Sequence, residues 1–120
     1  MQKPSLMTKK YILSKKAATD ITAITLKSMG DFGPLQTDTY MTGLKYLLET
    51  IAQGKTKSSE FINKKTQRIY LFSRYVSHVV YFRKRENDVF IVRVLHKRML
   101  PEKHLSWTVH YHKSVILCGG

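Results

Sequence analysis

The sequence is poor in the residues that mark secreted scaffolds, metal centres and most catalytic sites. Its single cysteine, Cys118, allows no internal disulfide and fits a reducing compartment. The five histidines and that one thiol give no zinc-ligand spacing, so no metal and no cofactor are expected. Gly30 and Gly33 lie between helical patterns rather than after a strand, which excludes a phosphate-cradling loop, and no G-x-S-x-G elbow is present. Long apolar runs are missing too. The longest, such as Val79–Phe82 and Val89–Val92, fall far short of the roughly 20 residues that cross a bilayer, so no membrane association is expected. Met1–Lys10 holds lysines but no apolar h-region, which points to a cytoplasmic protein. Acidic residues are scarce, with 8 Asp and Glu against 21 Lys and Arg.

That imbalance, a net charge of +13, is the first positive signal. A surface so basic attracts polyanions or an acidic partner, unless the charge serves solubility alone. Its distribution is uneven: Lys55 to Arg98 contains twelve basic residues and three acidic ones. At 120 residues with 42% apolar and 11% aromatic content, the chain has the length of one domain and enough apolar surface to fold.

Residues 1–9 have no apolar period and read as a flexible N-terminal arm. Tyr11-Ile12-Leu13 is a β-compatible run closed by Ser14, a good N-cap, so a strand hands over to a helix there. Ala17, Ile21, Ile24 and Ser28 recur at helical spacing until Gly30-Asp31-Phe32-Gly33-Pro34 stops the pattern. Tyr40, Met41, Leu44, Leu47, Leu48 and Ile51 mark a second helix ending at Gly54, and the two make a hairpin. Lys55–Lys65 is polar, lysine-rich and expected to be a mobile connector. Ile69–Phe72, Val79–Phe82 and Val89–Leu95 are β-branched and aromatic runs with short polar breaks, which predict an antiparallel meander. The fold class is α+β: an N-terminal strand, a two-helix hairpin, then a three-stranded antiparallel meander packed on the hairpin. A basic stretch from Lys97 to Leu105 follows, with a helical turn started at Pro101. The domain spans residues 10–105, and 106–120 is a C-terminal extension whose apolar run, Trp107–Leu117, suits an extra strand or a docking tail.

With its elements in this order the chain resembles the ParE branch of the RelE/ParE toxins, the toxic halves of type II toxin–antitoxin and plasmid stabilisation systems. Tyr11, Leu13, Ser14, Ala17, Asp20, Ile21 and Ile24 are similar to the family's opening Y-x-L-S-x-x-A-x-x-D-I-x-x-I. Phe32-Gly33, Gln36, Tyr40 and Leu44 resemble its F-G-x-x-Q-x-x-x-Y-x-x-x-L hairpin. Ser77-His78-Val79-Val80-Tyr81-Phe82 resembles its S-H-x-I-x-Y strand. Arg93-Val94-Leu95-His96-Lys97-Arg98-Met99, followed by His104-Leu105, resembles its R-V-L-H-x-R-M-D-x-x-R-H-L ending. Leu100 stands where the family usually has an acid, Lys103 where it usually has arginine, and Ser106–Gly120 runs past the usual end.

The resemblance implies a protein that inhibits DNA gyrase by binding, without being an enzyme, and that a cognate acidic, ParD-like antitoxin neutralises. It implies target contacts at Arg93, His96, Lys97, Arg98, Lys103 and His104, and antitoxin contacts at Tyr40, Leu44, Leu47 and Arg83. By alternation Arg93 shares a face with Ile91 and Leu95, and His96 one with Phe90, Val92 and Val94. Arg93 is then either a snorkelling cover of the sheet edge or a contact, and His96 either a hydrogen-bonded structural residue or a contact. The alternative is a RelE-like ribosome-dependent mRNA interferase with His78, Arg93 and His96 as its catalytic group, helped by His110 and His112. Such nucleases place an arginine on the penultimate core strand, and His78 occupies that position here. Direct nucleic-acid binding is compatible with the charge but is not expected, since Tyr70, Phe72, Tyr81, Phe82 and Phe90 read as core residues.

Overall fold

Ser14 is where the chain changes from strand to helix, and its side chain serves both. In a computed structural model, which describes residues 10–105, β1 (Lys10–Leu13) ends at Ser14 and α1 (Lys15–Ala52) begins. Ser14 Oγ accepts the N–H of Ala17 at 2.9 Å, satisfying an N-terminal donor of the helix, and donates to the Val92 carbonyl at 2.7 Å. The hydroxyl thus joins helix start to sheet.

Helical geometry continues through Gly30 and Asp31 and breaks only at Gly33, whose φ of 83° suits glycine, with Pro34 opening the second arm. The Thr37 hydroxyl donates to Ser28 Oγ at 2.7 Å. Nine residues of unbroken helix span about 13 Å, so this contact requires the chain to double back into the expected hairpin. At the far end Gln53 is the C-cap; Gly54 N–H bonds to the Ile51 carbonyl and Lys55 N–H to that of Thr50, with Gly54 at a φ of 74°. This is a Schellman stop.

The sheet has five strands in the order β1-β5-β4-β3-β2, with β2 (Ser59–Asn63), β3 (Arg68–Tyr75), β4 (His78–Lys84) and β5 (Asp88–His96) antiparallel in sequence. β1 lies parallel to β5, Leu13 opposite Ile91. The meander therefore has four strands rather than three. Ser59–Asn63, part of the expected mobile connector, pairs with β3: Phe61 and Asn63 point inward while Glu60 and Ile62 are exposed, so the apolar residues do not alternate with polar ones and the pattern is hidden.

Two apolar clusters hold the layers. Ala17, Leu44, Leu48 and Ile51 of α1 meet Val80, Phe82, Val89, Ile91 and Val94 on one sheet face. On the other, Tyr70, Val79, Tyr81, Val92 and Leu95 pack with Leu105, which is anchored by a helical turn over residues 101–105, as Pro101 predicts. The expected N-terminal arm and C-terminal extension lie outside the described residues.

Candidate functional site

One irregularity decides how the polar residues of β5 are arranged. Tyr81 stands opposite Arg93 but Phe82 opposite Ile91, so Val92 is an extra residue in β5, a β-bulge. The bulge reverses the alternation expected for the strand. Val94 joins Ile91 on the helix-covered face, while Leu95 joins Val92 on the other. His96 therefore shares a face with Val94 and not with Val92, and Arg93 does not share one with both Ile91 and Leu95.

The bulge lies where β1 has ended and the edge of β5 is open. Ser14 Oγ takes the Val92 carbonyl, and Asp20, one turn and a half further along α1, takes the Val94 N–H at 2.9 Å. Arg93 closes the same carboxylate: its Nε donates to Oδ2 at 2.8 Å and its Nη2 to Oδ1 at 2.9 Å. The side chains of Arg93 and Asp20 are 15% and 13% exposed. Such a bidentate, part-buried pair is a structural clamp between helix and sheet.

Beyond it, at the end of the sheet, His78 and His96 stand directly opposite one another with ring centroids 5.4 Å apart. His78 Nδ1 is hydrogen-bonded to the Tyr40 hydroxyl at 2.8 Å, and His96 Nδ1 accepts the Arg98 N–H at 3.1 Å. The Tyr40 hydroxyl also accepts the Ser77 N–H, and the Tyr75 hydroxyl donates to the Tyr40 carbonyl at 2.7 Å. Burial, helped by the facing His96, pushes His78 below the ordinary imidazole value, although Asp20 opposes the shift. Burial, then neighbouring Tyr40, raises the Tyr75 hydroxyl. Gly43 is required here: a Cβ on it would overlap the Tyr75 hydroxyl. The turn that delivers Ser77 and His78 holds Val76 at a φ of 49°, an unfavourable conformation for a β-branched residue.

The remaining site residues from the sequence fall in three places. Lys97, Arg98 and Lys103 are exposed on the turn after β5, with Met99 and Leu100 exposed among them and His104 half-buried. The Lys97 N–H donates to the Ser77 carbonyl at 2.8 Å, which pins that turn to the histidine end. Leu44 is 1% exposed and belongs to the helix–sheet core; Leu47 is half-buried beside it. Arg83 lies at the opposite end of the sheet, near Arg68 and Tyr70. Arg74 lies over the Phe72 ring at 5.5 Å. Asp20, Ser14 and Tyr75 were not among the sequence-predicted site residues, although Ser14 and Asp20 both stand in the opening motif. His110 and His112 lie outside the described residues, and among those described no group of three potential metal ligands forms.

The motifs that are separate in sequence are thus joined in space: the opening motif meets the R-V-L-H strand through Asp20 and Arg93, and the hairpin motif meets the S-H strand through Tyr40 and His78. A family model described as the ParE toxin of the type II toxin–antitoxin system, parDE, matches residues 11–101. No curated protein matches the chain.

Proposed function

The chain belongs to the ParE family of type II toxins, and from that premise we propose that it acts by binding DNA gyrase, without catalysis of its own. A toxin of such a system has an antitoxin as its partner. No helix among the described residues is long and apolar enough to cross a membrane, which is compatible with action in the cytoplasm.

The observation that carries the non-catalytic reading is the engagement of Arg93. Cleaving a phosphodiester on this scaffold calls for a permanent cation free to meet the scissile phosphate beside an acid–base group. Arg93 is committed to Asp20, Arg74 lies over Phe72, and Arg83 is at the far end of the sheet. None of these three guanidinium groups is hydrogen-bonded to His78, and Arg98, whose backbone N–H meets His96, stands on the exposed turn. What the histidine end presents to solvent is a cationic turn of Lys97, Arg98 and Lys103, with apolar Met99 and Leu100 between the charges. Charge gives encounter rate and orientation, and the apolar pair gives contact area. In this reading Arg93 and His96 hold the turn in place rather than touching the target.

A ParD-like antitoxin with an acidic segment neutralises the toxin by lying along the helical hairpin, where Leu26, Phe32 and Leu35 are exposed. Purified toxin should raise gyrase-mediated DNA cleavage or block supercoiling without ribosomes. Lys97→Glu with Arg98→Glu should abolish that effect while antitoxin binding persists, and Leu35→Glu should do the reverse. An inert wild-type protein at excess over gyrase rejects the proposal.

The paired histidines favour one other reading, an mRNA interferase in which His78 and His96 move protons. Ribosome-dependent transcript cleavage lost on His78→Ala would establish it, and intact transcripts at toxic expression levels would dismiss it.

A further inference from the structure

At the end of the sheet away from the histidines, on the face turned away from α1, a second polar cluster is left incomplete. Alternation places Asn63 with Phe61, Arg68 with Tyr70, and Arg83 with Tyr81 on this face. Asn63 stands opposite Arg68 and Phe61 opposite Tyr70. One step beyond Leu71 opposite Phe82, the same register brings Tyr70 to Arg83, which on its other side faces Phe90.

Two features of this cluster are unfavourable as they stand. Tyr70 is 1% exposed and Asn63 0%, yet among the described residues the Tyr70 hydroxyl and Asn63 Nδ2 have no hydrogen-bond partner. Asn63 uses only its oxygen, which accepts the N–H groups of Lys65 and Thr66. The arginines are equally unmatched. Burial and the nearby Arg68 both depress Arg83, and among the described residues neither arginine enters an ion pair. Asp88, on the strand that pairs with that of Arg83, is held bidentately by Arg85 at 2.6 and 2.8 Å, and Arg85 lies over the Phe90 ring. Native proteins seldom leave buried donors and adjacent cations without an acceptor, because each orphan loses the hydrogen bonds that water gave it and gains none in return.

We propose that Arg68 and Arg83, together with the Tyr70 hydroxyl and the Asn63 amide, bind a phosphate group. The guanidinium groups and the Asn63 amide nitrogen can only donate, and the Tyr70 hydroxyl has a proton to donate, so the ligand must accept. Two guanidinium groups with about five N–H donors each exceed what the two oxygens and single charge of one carboxylate can match. A phosphate offers three or more oxygens and up to two charges. Both arginines are half-exposed, so an anion reaches them from solvent, and its contact with the buried Tyr70 hydroxyl and Asn63 amide requires the side chains over them to move. The site does not depend on the gyrase reading, because it lies at the other end of the sheet from the Lys97–Lys103 turn.

The full-length protein should be titrated at fixed ionic strength with inorganic phosphate, a short single-stranded oligonucleotide and a glutamate-rich peptide. Arg68→Gln and Arg83→Gln should each weaken phosphate binding about tenfold, the factor of one lost charge-assisted contact. Lys45→Gln, an equal charge change on the exposed side of α1, should alter it less than about twofold. Tyr70→Phe should weaken it severalfold with an unchanged far-ultraviolet circular dichroism spectrum. Oligonucleotide binding tighter than phosphate, and dependent on Arg83, assigns the site to a nucleic-acid backbone; equal affinity assigns it to a free phosphate. Equal losses in Arg83→Gln and Lys45→Gln, a glutamate peptide that binds as tightly as phosphate, or no saturable phosphate binding would each overturn the proposal.

Discussion

The two ends of the sheet treat polar groups in opposite ways. At the histidine end the hydroxyl of Ser14, the carboxylate of Asp20, the guanidinium of Arg93 and the ring of His78 all have partners, most of them supplied by an element distant in sequence. At the other end Tyr70, Asn63, Arg68 and Arg83 have donors in excess and too few acceptors. The first end is built to be rigid, since each bond ties α1 to β4 or β5. The second is built as though something else completes it. The proposed docking of the cationic turn on another protein would gain from the first arrangement, because less order remains to be imposed on binding.

The largest expected effect comes from breaking the completed end at its clamp. Arg93→Ala leaves Asp20 in a part-buried position without its cation and should cost on the order of 3 kcal/mol by urea denaturation. The double variant Asp20→Asn, Arg93→Leu should recover part of that loss, because no unpaired charge remains. Next is Gly43→Ala, whose new methyl overlaps the Tyr75 hydroxyl and should cost about 1–3 kcal/mol. Adding Tyr75→Phe should relieve some of the overlap. If the two changes are simply additive, the helix is not held at that approach.

Protonation gives a smaller effect of fixed sign. His78 is held below its ordinary value of 6.5, so the unfolded chain takes up its proton before the folded one does. The unfolded state therefore binds more protons between the folded value and 6.5. The contribution of His78 to stability is fully present above that window and is lost as pH falls through it. A denaturation midpoint followed on acidification should fall less steeply for His78→Gln than for the wild type.

The smallest change sharpens the contrast from the other end. Tyr70→Phe removes a hydroxyl that bonds nothing and should leave stability within about 1 kcal/mol of the wild type, or raise it. A clear loss would show that the hydroxyl has a partner after all, and the two ends would no longer differ.

Much of this architecture was legible from residue patterns, for local reasons. Ser14 before a helical period, Gly33-Pro34 at the reversal and Gly54 at the stop each act within one turn of the chain, and each does what its chemistry predicts. Strand β2 was not legible, because Ser59–Asn63 is an edge strand with one inward aromatic and one inward amide among lysines. Its pattern is too short and too polar to stand apart from a loop. The candidate site was half legible: His78, His96, Arg93 and Tyr40 were all singled out, but Asp20 appeared only as one letter of a motif. The bulge at Val92 has no sequence mark at all. It arises from the pairing of two strands, and it put His96 on the face of Val94, with its ring against that of His78.

Residue order alone determined the elements, their succession and the concentration of positive charge after Lys55, since propensity, capping and charge count are properties of neighbouring residues. Only the tertiary structure decided which cations are free and which are spent. Arg93 and Arg83 read alike as basic residues of β strands, and the difference between them is made by what lies across the fold: a carboxylate from the helix in one case, a second arginine in the other.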